Sequence, residues 1–167
     1  MFGTVAIKLL KSYSDYRKDR RKEDDLLVRQ YIQSELTKAG ERTVNIQVLV
    51  AEGTDKKLLK TTKSVKNELD QFLNEAKLGL AGHSYPLLSI QHVRSPSAGD
   101  IKKLVEFDEG ILERVSNVAT ASQIIETKVR DGDASLDLDA EMRRLLEYLT
   151  VARGLFKDRE QFLRSWK

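Results

Sequence analysis

Between Ser97 and Arg130, apolar residues recur in alternating steps of three and four: Ile101, Leu104, Ile111, Val115, Val118, Ile125 and Val129, with Asp108 and Ser122 in two of the slots. Val105, Leu112 and Ala119 widen this seam on one side. Spacing near 3.5 residues over some 30 positions is helical. A face this broad belongs to a core helix of a bundle rather than to a two-stranded zipper, whose seam is narrower. One helix with such a face needs several others to cover it, so the seam sets the expected fold class: an all-α, antiparallel four-helix bundle of long helices.

The totals agree. The chain has 167 residues, 33% of them charged, with two prolines, few aromatics and no cysteine. This composition suits long helices and is poor material for a β-sandwich. Without cysteine there are no disulfides and no thiolate metal sites. The apolar runs fall well short of the roughly 20 residues that span a bilayer. The apolar stretch at the N-terminus is broken by Lys8 and Lys11, which is not a cleavable secretory pattern. The expected location is therefore cytoplasmic, with a peripheral membrane association open.

The net charge of +3 is unevenly placed. Residues 1–22 hold seven bases (Lys8, Lys11, Arg17, Lys18, Arg20, Arg21, Lys22) against Asp15 and Asp19, a local +5 that leaves −2 for the rest of the chain. As a helix, this stretch would gather Phe2, Val5, Ala6, Leu9, Tyr13 and Tyr16 on one side, with most of the bases elsewhere. An amphipathic basic helix can lie on an anionic membrane or dock on an acidic partner. It can equally be the first helix of the bundle. Residues 1–22 are accordingly separated as a basic amphipathic N-terminal segment, and 23–167 as one bundle domain.

Within that domain the spacing predicts helices over about 24–51, 55–80, 97–130 and 135–166. The first is the hardest to read. Leu27, Tyr31, Leu36, Val44, Val48 and Ala51 roughly follow a helical seam, and Gly40 inside it costs about 1 kcal/mol relative to alanine. Yet Val44, Ile46, Val48 and Val50 alternate with polar residues as in a strand, for which Leu87–Val93 is the best partner. Two strands alone are marginal, and a helix here matches the others in length, so helix is the reading adopted. Gly53 is placed to end it, with Thr54 or Asp55 capping the next. The second seam is Leu58, Thr62, Val65, Leu69, Phe72 and Ala76. Gly79, Gly82 and Pro86 break that helix and open a long connection holding His83 and His92. Ser97 and Asp100 form a candidate capping box for the third helix, which ends at Asp131-Gly132-Asp133. Ser135, Asp137 and Asp139 then open the fourth. Its seam runs through Leu138, Met142, Leu145, Leu149, Ala152, Phe156 and Leu163, flanked by Leu146, Leu155, Phe162 and Trp166. The third and fourth helices should both exceed 30 residues, about 45–50 Å.

Specific chemistry is scarce. The acids from Asp131 to Asp139 imitate a calcium loop, but Leu136 stands where the loop needs glycine and Met142 where it needs a bidentate glutamate. Acids at a helix N-terminus, favoured by its dipole, account for them. Two histidines nine residues apart without further ligands make a poor metal site. No phosphate loop, dinucleotide fingerprint, nucleophile elbow or zinc-protease helix occurs. No catalytic residue, metal or cofactor is assigned.

What remains is binding. The leading expectation is a non-enzymatic interaction or scaffold protein that self-associates or binds another protein. Lys8, Lys11, Arg17, Lys18, Arg20, Arg21 and Lys22 would meet an anionic surface while Phe2, Val5, Leu9 and Tyr13 pack or insert. A second basic patch, Lys56, Lys57, Lys60, Lys63 and Lys66, supports the alternative of a nucleic-acid binder tracking phosphates. Asp108 and Ser122, polar in the core seam, leave a third possibility: an enzyme or small-molecule sensor with a pocket inside the bundle.

Overall fold

Four helices account for nearly all of residues 21–51, 56–78, 97–133 and 136–165, which the computed structural model describes. They are α1 (Arg21–Ala51), α2 (Lys56–Leu78), α3 (Ala98–Arg130) and α4 (Leu138–Arg164). The stretch 43–50 is helical, as expected. α1 is described from Arg21 onward, and residues 1–20 of the anticipated N-terminal segment lie outside the described residues. At 27 residues, α4 is shorter than expected, because it starts at Leu138 behind its cap.

Consecutive helices run antiparallel and form two hairpins, α1–α2 and α3–α4, that pack side by side. α1 lies against α2 and α3, and α4 against α2 and α3. The neighbours joined across the hairpins run in the same direction. On α1 and α3, Arg42 reaches Ala119 and Gln123 while Asn45 reaches Glu126. On α2 and α4, Thr61 meets Asp139, Phe72 meets Phe156 and Glu75 meets Arg153.

Local chemistry sets the ends. Ser97 Oγ accepts from the Asp100 amide at 3.1 Å, and the Asp100 carboxylate accepts from the Ser97 amide at 2.8 Å. This is the reciprocal capping box, with aspartate in the place usually taken by glutamate. After α3, Gly132 turns at φ +68°, a region open to glycine at no steric cost. Asp137 caps α4, accepting from the Ala140 amide at 3.0 Å. The expected stop at Gly53, caps at Thr54 or Asp55, residues 79–96 with both histidines, and Ser135 and Trp166 lie outside the described residues.

The α3 seam is buried from Leu104 to Ile125, and the α2 seam from Thr62 to Ala76. In α1 the seam is out of phase with the expectation. Leu27, Val44, Val48 and Ala51 are exposed and Tyr31 is half-buried. The core positions are Val28, Ile32, Leu36, Ala39, Thr43, Ile46 and Val50. The helix is apolar on more than one face, and its true seam admits Asp25, Arg29 and Thr43. A reading by apolarity alone therefore picks neighbours one residue away. Burying Thr43, Thr62 and Ser122 is cheap, because each hydroxyl donates to a carbonyl of its own helix: Ala39 at 2.8 Å, Leu58 at 3.1 Å and Ala119 at 2.9 Å.

Candidate functional site

The least expected group in the core lies near the end of the bundle where α1 and α3 begin and α2 and α4 finish. Asp25 and Arg29 on α1, Asp108 on α3 and Arg159 on α4 are each at most 2% exposed, and Glu160 joins them from the rim. The α4 seam jumps seven residues from Phe156 to Leu163, and Arg159 fills the slot between them.

Arg159 holds the layer together. Its Nε donates to Asp108 Oδ1 and its Nη1 lies 2.6 Å from Asp25 Oδ1 and 3.2 Å from Glu160 Oε1. Arg29 binds Asp25 Oδ2 through Nε at 2.9 Å and reaches Glu160 through Nη2. The Arg29 guanidinium also sits 5.2 Å from the centre of the Phe156 ring, which packs on Phe72 at 5.5 Å. Planar arginine forks suit such shared pairing, because one guanidinium can serve two carboxylates without losing its charge. Burial by itself pushes the Asp25 carboxyl up, but the charges of Arg159 and Arg29 outweigh it and hold the group below its ordinary 3.8. Asp108 thus spends its carboxylate on an arginine. Ser122, the other polar seam residue, is buried nearly four turns further along α3 and bonded within its own helix, so the structure does not bring the two together.

A second arginine joins α4 to α2 at the surface. Arg153 binds Glu75 through Nη2 at 2.6 Å and Nε at 2.9 Å, and Glu68 through Nη1 at 3.0 Å; Nη1 also reaches Gln71 at 2.7 Å. The hydrogen bonds to Glu75 contribute most to raising the Arg153 pKa further. Partial burial pushes Glu75 up, but its bond to Arg153 prevails and the net shift is downward.

The basic patch on α2 is partly consumed within the protein. Lys57 pairs with Asp139 at 3.3 Å and Lys66 with Asp70, while Lys60 and Lys63 are exposed. The Lys56 side chain lies outside the described residues. Asp139 also accepts from Thr61 at 2.8 Å, the chief cause of its lowered pKa, and pairs with Arg143 at 2.9 Å. Of the N-terminal candidates, Phe2, Val5, Lys8, Leu9, Lys11, Tyr13, Arg17, Lys18 and Arg20 lie outside the described residues, as do the side chains of Arg21 and Lys22, whose backbone opens α1. Among the described residues no helix is long and apolar enough to cross a membrane.

Sequence reading named Asp108 but missed Asp25, Arg29, Arg159 and Glu160. The readable signal was opposite charges in core slots: Asp25 and Arg29 four apart on α1, Asp108 on the α3 seam, and Arg159 in the vacant slot of α4. No family model matches the chain, and comparisons with characterised proteins and with solved structures return no match.

Proposed function

We propose that the protein is a non-enzymatic helical scaffold that docks on an anionic membrane surface through its basic N-terminal segment and self-associates. The observation that carries this reading is where the bundle spends its own cations. Lys38, Lys57, Lys66, Arg130, Arg143, Arg144, Arg153 and Lys157 each pair with an acid of the bundle. By sequence the surplus positive charge falls on residues 1–22, at +5 against −2 for the rest of the chain. The same pairing weakens the nucleic-acid reading, which needs Lys57 and Lys66 for phosphates. The engagement of Asp108 by Arg159 weakens the reading of a reactive carboxylate in a pocket.

Each base near an anionic surface contributes about 1 kcal/mol. Replacing Arg20, Arg21 and Lys22 together by glutamine in the full chain should lower affinity for anionic vesicles about 150-fold. In a flotation assay the wild type should rise with anionic vesicles and stay down with neutral ones, and the triple variant should stay down with both. A triple variant that floats like the wild type refutes the proposal. So does a wild type that ignores anionic lipid, and retention on an acidic protein or an oligonucleotide would then redirect it.

A further inference from the structure

We infer that the bundle opens from its charged end, while the half around Ile46, Val65, Val118, Ile125 and Leu145 stays closed. Two independent observations at that end point the same way.

The first is the ion layer itself. Asp25, Arg29, Asp108 and Arg159 put charges in slots that elsewhere in the same seams hold apolar residues or hydroxyls bonded within their own helix. Charges taken out of water regain through pairing little more than burial costs them, so such a layer contributes less cohesion than packed hydrocarbon. It also contributes most only while all its members stay in register, since losing one partner exposes the rest to an unfavourable interior. A group of this kind separates as a unit and can be rehydrated as a unit.

The second is a pair of glycines beside the layer on two of its three helices, α3 and α4; on α1 the open glycine is Gly40, eleven residues beyond Arg29. Gly110 follows Asp108 by two residues on α3, and Gly154 precedes Arg159 by five on α4. Glycine inside a helix is normally explained by a close approach, and neither position has one. A Cβ added at Gly154 meets nothing within 4 Å. At Gly110 it would meet Leu155 Cδ1 at 3.6 Å and Arg114 Nη1 at 3.5 Å, ordinary contact distances. Packing would accept alanine at both, so their local effect is to make α3 and α4 easier to unwind beside the ion layer. α3 begins at its Ser97 cap and α4 finishes at Ser165 at this same end, which puts Asp108 and Arg159 within about three turns of a helix terminus. The inference stands whether or not the N-terminal segment docks on a membrane.

Amide hydrogen exchange on the full chain tests it. Amides in 25–35, 104–110 and 155–163 should exchange at least about tenfold faster than those in 43–50, 115–126 and 142–150, and should respond little to dilute urea, the mark of local opening. Two variants fix the boundary. Gly110→Ala with Gly154→Ala should slow exchange at the charged end by about two- to five-fold per substitution. Ile125→Val, a small deletion in the far half, should speed exchange there about two- to ten-fold and leave the charged end unchanged. Exchange that is uniform along the helices and moves together with urea overturns the inference. So does an Ile125→Val effect of equal size at both ends, or a double alanine variant with no effect at the charged end.

Discussion

Replacing Arg159 by methionine should be among the most damaging single changes available to this chain. Methionine fills much the same volume, so packing is largely kept and charge is the main variable. The substitution leaves Asp108, with no measurable exposure, and Asp25, at 2%, without the guanidinium that spans them. Breaking a buried pair from one side costs about 3–5 kcal/mol. Domains have about 5–15 kcal/mol of total stability, so about a fifth at least, and in a marginal domain all of it, would go. At a urea slope of about 2 kcal/mol per molar, the unfolding midpoint followed by circular dichroism should fall by about 1.5–2.5 M. Adding Asp108→Leu should restore half or more of the loss, because it removes a buried carboxylate that has lost its arginine. pH gives a further check. In the wild type, Arg159 and Arg29 hold Asp25 below 3.8 against its burial, so its stabilising contribution is present above that value and is lost as pH falls through the lower folded-state pKa. In the variant one counter-charge is gone while burial remains, so the Asp25 pKa rises relative to wild type. The gap between the two proteins should therefore be widest near neutrality and should narrow below pH 3.8. A single variant that loses under about 1 kcal/mol, or a double variant less stable than the single, would refute the idea that pairing rather than packing governs this layer.

Two other changes probe the joints between helices. Arg153→Ala should cost about 1.5–3 kcal/mol in urea titration, because it frees Glu68 and Glu75 from a shared partly buried guanidinium, and Arg153→Lys should recover only part, lacking the fork. Ser97→Ala should cost about 1 kcal/mol by removing the acceptor for the Asp100 amide, a loss measurable as a lower thermal midpoint, and Ser97→Asn should largely keep the cap.

How far the fold could be read depended on how cleanly each helix separates its faces. In α3 the buried residues follow the steps of three and four almost without exception, and the two polar intruders kept the rhythm rather than breaking it. α1 gives no such contrast. Leu26, Leu27 and Val28 are consecutive, and so are Val48, Leu49 and Val50, so apolarity alone does not fix the helix phase. The core takes Val28 and Val50 and leaves Leu27 and Val48 outside. What fixes the phase is tertiary: Arg42 and Asn45 must face α3, where they bond Ala119 and Glu126. That turns Ile46 inward and Val44 outward, and it turns Asp25 and Arg29 into the core with them. The strand-like alternation at 43–50 is a by-product of this apolar excess, and packing against α2 and α3 resolves it as helix.

The same phase error hid the ion layer. With Leu27 and Tyr31 taken as seam residues, Asp25 and Arg29 fall on the outer surface, where an acid and a base four apart are an ordinary exposed pair worth a few tenths of a kcal/mol. Moved inward by one residue, they meet Asp108 and Arg159 and become part of a network in which one deletion costs several kcal/mol. Asp108 alone announced that a buried cation was required, since a carboxylate at 0% exposure must be paired or protonated. The vacant slot between Phe156 and Leu163 supplied the arginine to pair it. A charged residue in a core rhythm is thus best read as half of a pair whose other half interrupts a neighbouring seam. In this bundle that rule, applied to Asp108, finds Arg159 first and then corrects the phase of α1 through Asp25.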